Sequence, residues 1–349
     1  MRYGFDSARK GHWKAKELEE AISKRMQSKY AQLVSSGTAA LTVALVSAGV
    51  GAGDEVIMPT FTFVASFESI LAIGAIPILV DVDETLTLNP SSVEKAITKN
   101  TKVVMPVHMC GSMADLKALK TICEKYNLIL LEDACQAIGG SFEGKPLGSY
   151  GDLGCFSFDY VKTITCGEGG ALITNNLEYY KNADHYSDHG HDHVGNNRGA
   201  ETHPFLGYNF RISELNAAVG CAQIRRLDEF LEIQENNYNI LYKALSDVDG
   251  ISFRRIPKGG IQNYSFLNFF LPTEVLTRRA HKALGDGGVD ACFYWYDNNW
   301  HYYRKWEHLI NLTSLGKLPD DINKNMPDYS KSDFSESDKW ISMDHFQSN

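Results

Sequence analysis

The sequence predicts an α/β fold in which helices cover both faces of a mostly parallel sheet, followed by a smaller α+β domain. Three observations carry this. Apolar runs of strand length alternate with helical segments of about 10–15 residues up to about residue 245, the pattern of crossover units. Those runs are apolar at nearly every position, as strands buried on both faces must be. Beyond that point the elements become shorter and mixed, which sets the boundary: residues 1–245 form the large domain and 246–349 the small one.

The elements follow in order. Residues 14–28 carry charge pairs and apolar spacing suited to a helix. QLVSSGTAALTVALVSAGV gives a short strand, a Ser-Ser-Gly-Thr turn and a helix of small apolar residues, and a second strand runs from Glu55 to Met58. FVASFESILAIGA reads as helix, IPILVDV as a buried strand, SSVEKAIT as a helix with a Ser cap, and TKVVMPVH as strand. Next come helix MADLKALKTICEKYN and strands LILLED, CFSF and GALITN. One long helix is expected from Ser213 to about Ala244. The second domain offers ISFRRI, YSFLNFFLP and the helix TEVLTRRAHKALGDGG.

Composition narrows the function classes. A chain of 349 residues with 44% hydrophobic and 22% charged residues is neither disordered, collagenous nor a long coiled coil. Its 34 Lys and Arg face 43 Asp and Glu, a net charge of −9 that gives no general attraction to nucleic acid or an anionic membrane. An anionic small substrate must therefore be met by local donors. Seven cysteines, odd in number and without a CxxC pair, point to reduced thiols in a cytoplasmic compartment. The start, MRYGFDSARKGHWK, lacks the apolar core of a signal peptide. The longest uncharged stretch, Gln32 to Gly53, is broken by Ser, Thr and Gly and reads as a turn plus buried helix, not a membrane span.

Three fragments carry chemistry. In CFSFDYVKTITCGEGGALITNN, Lys162 lies between an apolar strand and a Gly-Glu-Gly-Gly turn, at the strand end where α/β sheets present reactive groups. Such a lysine can form a Schiff base with a carbonyl cofactor; alone, a loop lysine is more often a solvated charge. LILLEDACQAIGG ends a buried strand in two carboxylates, either of which can hold a protonated pyridine nitrogen, cap the strand or form a core ion pair. SSGTAAL opens a helix whose first N–H groups can receive a phosphate, though any capped helix looks the same. Together they supply an anion cradle, a pyridinium partner and a Schiff-base lysine.

The strings SSGTAAL, GDEVIMPTFTFVAS, LEDACQAIGG, GDLGCFSFDYVKTITCGEGGALITNN and GYNFRISELNAAVG resemble the DegT-type sugar aminotransferases, over about residues 12–330. The resemblance implies a fold-type I aminotransferase, with a mostly parallel sheet of the seven-stranded type, pyridoxal 5'-phosphate as cofactor and pyridoxamine phosphate as its intermediate form. It implies a homodimer with shared active sites. Residue by residue, it implies that Lys162 forms the Schiff base and shuttles the proton, and that Asp133 pairs with the pyridine nitrogen. Gln136 lies near the cofactor's 3-hydroxyl and Phe63 stacks on its ring; without the resemblance Phe63 is equally an ordinary core residue. Gly37 and Thr38 bind phosphate through N–H groups, Ser157 through its hydroxyl, and Asn209 reaches the phosphate from the neighbouring subunit. A His in place of Lys162 marks related dehydratases, so Lys favours transamination. Within the family, VHMCGSM, SDHGHDHVGNNRGAE and CFYWYDNNWHY are similar to members that aminate a keto-deoxyoctulosonate sugar acid for lipopolysaccharide; the family implies glutamate as donor, and nothing in the residues chooses it over glutamine.

Two further segments are weighed. DHGHDH holds good metal ligands, but its two-residue spacings match no common zinc pattern; a surface loop or a wall of the sugar pocket suits it better, and no metal is expected. His189, with Arg198 or Arg211, is a candidate for the sugar acid's carboxylate. CFYWYDNNWHYYRKW is dense in aromatics, yet at net −9 a packed core or sugar-stacking wall is favoured over nucleic acid, and Trp300 and His301 are substrate-pocket candidates. The resemblance also implies that relatives carry a segment ahead of Met1 and continue past KWISM into a final strand and helix, where MDHFQSN stops short. An exposed sheet edge is therefore expected in the small domain. Two alternatives stay open: an aminotransferase for a nucleotide-linked 3- or 4-ketosugar, and a truncated, non-catalytic member.

Overall fold

The computed structural model describes residues 13–194 and 198–348, with 198 and 344–348 described at the backbone only. The large domain opens with α1 (Lys14–Arg25), β1 (Tyr30–Val34), α2 (Gly37–Ser47) and β2 (Glu55–Pro59). It continues through α3 (Val64–Leu71), β3 (Ile76–Val80), α4 (Pro90–Ala96), β4 (Thr101–Val104), α5 (Leu116–Tyr126) and β5 (Ile129–Asp133). A short hairpin of β6 (Ser141–Phe142) and β7 (Lys145–Pro146) precedes β8 (Leu153–Ser157) and β9 (Gly170–Thr174). Three helices follow: α6 (Leu177–Tyr186), α7 (Glu214–Ile224) and α8 (Leu227–Ser246).

Seven strands form the central sheet in the order β1-β9-β8-β5-β4-β2-β3. The pairs β2–β3, β2–β4, β4–β5 and β5–β8 are parallel, and only β9 runs against its neighbours β8 and β1. Burial explains the apolar runs: β8 and β9 are buried at every position. The expected mostly parallel, helix-covered sheet is the one observed.

The smaller part is built from β10 (Ser252–Phe253), β11 (Gly260–Ile261), β12 (Phe266–Phe270), α9 (Glu274–Asp286) and β13 (Cys292–Phe293). Short helices α10 (Glu307–Ile310), α11 (Asp320–Asn325) and α12 (Ser335–Met343) lead to β14 (Asp344–Ser348). Four of these strands pair in the order β10-β12-β14-β13. Residues 344–348 thus lie between two strands, and the expectation that MDHFQSN leaves the small sheet without its last strand is corrected. Short and polar in sequence, the segment is recruited by backbone pairing on both sides.

Two local expectations also change. The single helix expected over 213–244 is two, because the backbone leaves helical geometry at Arg226 (φ −99°, ψ 1°). Asp228 and Glu229 then fall in the first turn of α8, where the helix dipole favours acids. The SSVEKAIT helix is capped by Asn89, whose side chain accepts from Ser91 N, with Pro90 at its first turn, rather than by a serine.

The aromatic segment after residue 294 is core. Tyr302, Tyr303 and Trp306 are fully buried and join one apolar cluster with Phe61 and Phe67 of the large domain. Phe61 meets Trp295 edge-on at 5.5 Å and Phe67 meets Trp306 at 5.8 Å. Residues 300–303 are stitched to 60–64 by backbone bonds: Thr62 N donates to His301 O and Val64 N to Trp300 O, both at 2.9 Å. That seam fixes where the second domain meets the sheet. No helix among the described residues is long and apolar enough to cross a membrane, and none of the seven cysteines forms a disulfide.

Candidate active site

The site forms at the ends of the parallel strands, where a doubly wound sheet leaves its crevice. β5 ends in Glu132 and Asp133, and neighbouring strand residues point to opposite faces. Glu132, fully buried, accepts from the backbone N–H of Gly148 (2.8 Å), Tyr150 (2.7 Å) and Gly151 (2.7 Å), and pairs with His108 Nε2 at 2.8 Å. It is the structural acid. Asp133 accepts from Ser66 Oγ at 2.7 Å and from Cys135 N at 3.2 Å. Two oxygens with about four lone-pair sites leave Asp133 room for a further donor. Thr62 Oγ1 lies 2.7 Å from Ser66 Oγ, completing a buried chain that aims this carboxylate.

An anion cradle lies at the start of α2. Ser36 caps the helix, accepting from Ala39 N at 3.0 Å, and the first-turn N–H groups of Gly37 and Thr38 have no acceptor inside the helix. A Cβ on Gly37 would come within 2.7 Å of Ser157 Cβ, 3.0 Å of Ser157 Oγ and 3.2 Å of Cys135 Sγ. The helix start, the end of β8 and the residues after β5 therefore converge within one side chain's width. Glycine is what keeps that space open.

Lys162 sits in the turn after β8, its N–H bonded to Asp159 O at 3.0 Å. It lines a cavity of about 570 Å³ together with Cys135, Gln136, Gln234, Asn298 and His301. Gln136 Oε1 accepts from Cys110 N at 2.9 Å, so its Nε2–H group remains as a donor. Cys110 makes that bond from left-handed backbone geometry (φ 56°), which is uncommon for a non-glycine residue. Burial, with the nearby Lys162 charge, drives the His301 imidazole down to about 3, so the ring is neutral. Burial likewise pushes the Cys135 thiol well up, and it stays protonated.

These groups match what a phosphorylated pyridine aldehyde needs: a carboxylate for the ring nitrogen, N–H and hydroxyl donors for phosphate, and an amine for the aldehyde. The open space at Gly37 is the structural test of that fit, and it is met.

The other sequence candidates fall in three places. Phe63 stacks on Trp300 at 5.8 Å and meets His301 at 5.4 Å, so the seam brings all three together at the mouth of the site. Trp300 is largely exposed there, and only His301 of the pair lines the cavity. Asn209 and His189 are exposed and do not line the cavity; Asn209 Oδ1 accepts from Arg211 N at 3.3 Å. Arg211 donates from Nη1 to the buried Asp188, and its side chain stays partly exposed. Arg198 opens a short 3-10 turn, and its side chain lies outside the described residues.

The histidine-rich loop is an ion-pair knot. His193 bridges Asp184 (Nδ1, 2.7 Å) and Asp188 (Nε2, 3.1 Å), while His191 lies 3.0 Å from Glu201. Desolvation works against a charge on His193, but the two carboxylates outweigh it and raise its pKa to about 9. No group of three or more His, Cys, Asp or Glu side chains among the described residues is arranged to hold a metal ion.

Sequence reading missed Ser66, Cys110, Gln234 and Asn298. Ser66 had a signal: it lies three residues after Phe63, on the face of α3 that turns toward β5. The other three depend on contacts between distant segments.

A model of the DegT/DnrJ/EryC1/StrS aminotransferase family matches residues 7–314. L-glutamine:2-deoxy-scyllo-inosose aminotransferase of Streptoalloteichus tenebrarius is 42% identical over 219 residues, 61% of this chain and 52% of that protein. GDP-perosamine synthase of Escherichia coli O157:H7 is 37% identical over 233 residues, 66% of this chain and 63% of that protein. The chain thus spans between half and two thirds of the length of these curated relatives. Among solved structures, the aminotransferase from Psychrobacter cryohalolentis superposes with a TM-score of 0.83 at 27% identity, covering 96% of this chain and 85% of that one. NtdA from Bacillus subtilis, with bound cofactor PMP, gives 0.79 at 26% identity over 96% of this chain and 72% of that one.

Proposed function

Because the chain belongs to the DegT/DnrJ/EryC1/StrS aminotransferase family, we propose that it is a pyridoxal-phosphate-dependent sugar aminotransferase. Its substrate on this reading is 3,8-dideoxy-8-oxo-manno-octulosonate, aminated at C8 with glutamate as donor, for lipopolysaccharide. The products are 8-amino-3,8-dideoxy-manno-octulosonate and 2-oxoglutarate. The observation that carries the activity is that Lys162 lines one cavity with Cys135 and Gln136, which follow Asp133 in the chain, and that Cys135 also borders the space at Gly37 where α2 starts. The substrate rests on the strings VHMCGSM, SDHGHDHVGNNRGAE and CFYWYDNNWHY.

Bound in this site, pyridoxal phosphate would supply the carbonyl that accepts an amino group and the ring that absorbs charge. The chain's residues do the rest. The Lys162 amine would take the proton from glutamate's α-carbon and hand it to the carbon that bore the aldehyde, and would carry a proton the other way, to the sugar's C8, in the second half. Asp133, aimed by Ser66, holds a proton on the ring nitrogen. Gly37, Thr38 and Ser157 fix the phosphate, and Gln136 donates from Nε2 into the cavity. Phe63 and Trp300 shield the mouth.

The reading takes the enzyme as a cytoplasmic homodimer, with Asn209 completing the partner's phosphate site. Supporting this, large apolar side chains stand exposed on both sides of Asn209, at Leu206, Tyr208 and Leu215. A second reading, amination of a nucleotide-linked 3- or 4-ketosugar, is favoured by the 37% identity to a GDP-perosamine synthase. Glutamine is the corresponding alternative donor, being the amine named for the inosose enzyme. The test is to incubate the loaded protein with ¹⁵N-glutamate or ¹⁵N-glutamine and either keto sugar, and to weigh the product. Label in the octulosonate supports the first reading; label only in a nucleotide sugar transfers the claim to the second.

A further inference from the structure

Trp300 N donates to Asn298 Oδ1 at 2.9 Å, which fixes that atom as the amide oxygen. His301 Nδ1 lies 2.9 Å from the same oxygen, so it must carry the ring's proton. The neutral imidazole is left with Nε2 as a bare acceptor. Its basicity is far too low to take a proton from an ammonium or a hydroxyl, so it acts by accepting a hydrogen bond, not as a base.

A second acceptor stands on the same cavity. Gln234 uses Nε2 toward Thr163 Oγ1 at 3.4 Å, and its Oε1 is without a hydrogen-bond partner among the described residues. A shielded acceptor left unpaired is costly, and a ligand donor would satisfy it. Ser265 Oγ already donates to Asn263 Oδ1 at 2.6 Å, so it too offers only lone pairs. Lys162 is the only charged side chain among the described residues that line the cavity. A carboxylate would find no guanidinium there, whereas a hydroxyl would find acceptors.

We propose that His301 Nε2 and Gln234 Oε1 form an acceptor wall that reads hydroxyl groups of the keto sugar, so that a neutral polyol segment lies beside Lys162. This rests on the aminotransferase reading above. It suits the octulosonate, whose carboxylate is at the far end of the chain from C8 while a hydroxyl adjoins the reacting carbon at C7. Glutamate has no hydroxyl, so the wall gives it nothing to hold. His301 and Gln234 are thereby positioning residues for one half of the reaction and not the other.

The test separates the halves spectroscopically on the loaded protein. His301→Phe keeps a ring and removes the acceptor, whereas His301→Gln places an amide oxygen where Nε2 was. The wall predicts that His301→Phe raises KM for the octulosonate roughly tenfold while the glutamate half-reaction stays within about twofold. His301→Gln should recover most of that loss, and a 7-deoxy analogue should lose as much on the wild type and nothing more on His301→Phe. Histidine-selective ¹⁵N NMR gives a readout independent of turnover: His301, assigned from His301→Gln, should stay neutral with its proton on Nδ1 from pH 5 to 8. An imidazolium at pH 6, a proton on Nε2, or equal loss in both halves would overturn the proposal. Wild type that glutamate cannot convert sinks the aminotransferase reading; wild type that converts and is discharged no faster than His301→Phe sinks only the wall.

Discussion

Glu132 and Asp133, consecutive at the end of β5, divide structure from chemistry. Glu132 is spent on three backbone N–H groups and His108, and Asp133 keeps lone pairs for a ligand. Glu132→Gln turns an amide N–H toward donors and should cost roughly 3 kcal/mol in a denaturant titration. Asp133→Asn should cost less than about 1 kcal/mol yet slow transamination roughly a hundredfold. Equal effects of the two substitutions on stability and rate would contradict this division.

The cradle makes a sharper steric prediction. Gly37→Ala places a methyl 2.7 Å from Ser157 Cβ, and the helix start must shift to admit it. Overpacking of this kind costs about 1–3 kcal/mol, and the displaced N–H groups should weaken cofactor binding by about tenfold or more. Gly51→Ala, with nothing within 4 Å of the added carbon, is the control and should leave the cofactor dissociation constant unchanged.

The histidine loop should make stability fall at alkaline pH. His193 has a folded pKa raised to about 9, above the ordinary value of 6.5. The folded state therefore holds a proton that the unfolded chain releases, and the stabilisation is full below pH 6.5 and lost as pH rises through 9. At full strength it is worth roughly 3 kcal/mol. Melting curves from pH 6 to 10 should show this decline, and His193→Gln should be less stable at pH 6 and flatter with pH. Identical slopes for the two proteins would count against the knot.

Much of this was legible in the sequence, for identifiable reasons. Strands buried on both faces announce themselves as apolar runs, and the turns at SSGTAAL and VKTITCGEGG mark their ends. Lys162 and the acid pair Glu132–Asp133 stand out as candidates because each lies at or just after the end of an apolar strand, and the choice of Asp133 comes from the family resemblance. The break at Arg226 was missed because neither Gly nor Pro interrupts the apolar spacing there, although Asp228 and Glu229 held the start signal. The last strand was missed because residues 344–348 owe their conformation to pairing, not to propensity. Arg211 looked free to meet a carboxylate, since its partner Asp188 is 23 residues away. Which LED acid served the site could not be read from spacing; that depends on the loop at 148–151 wrapping around Glu132.

The central claim is that Lys162 works as the amine of a pyridoxal-phosphate transaminase in this cavity. The most direct measurement is the absorption spectrum of the protein loaded with pyridoxal phosphate, before and after glutamate, for wild type and Lys162→Ala. The account predicts a band at the visible edge that glutamate replaces with the pyridoxamine spectrum in the wild type, and neither that band nor its conversion in Lys162→Ala. A wild-type spectrum indifferent to glutamate and glutamine alike, or a Lys162→Ala protein that converts as the wild type does, would contradict it.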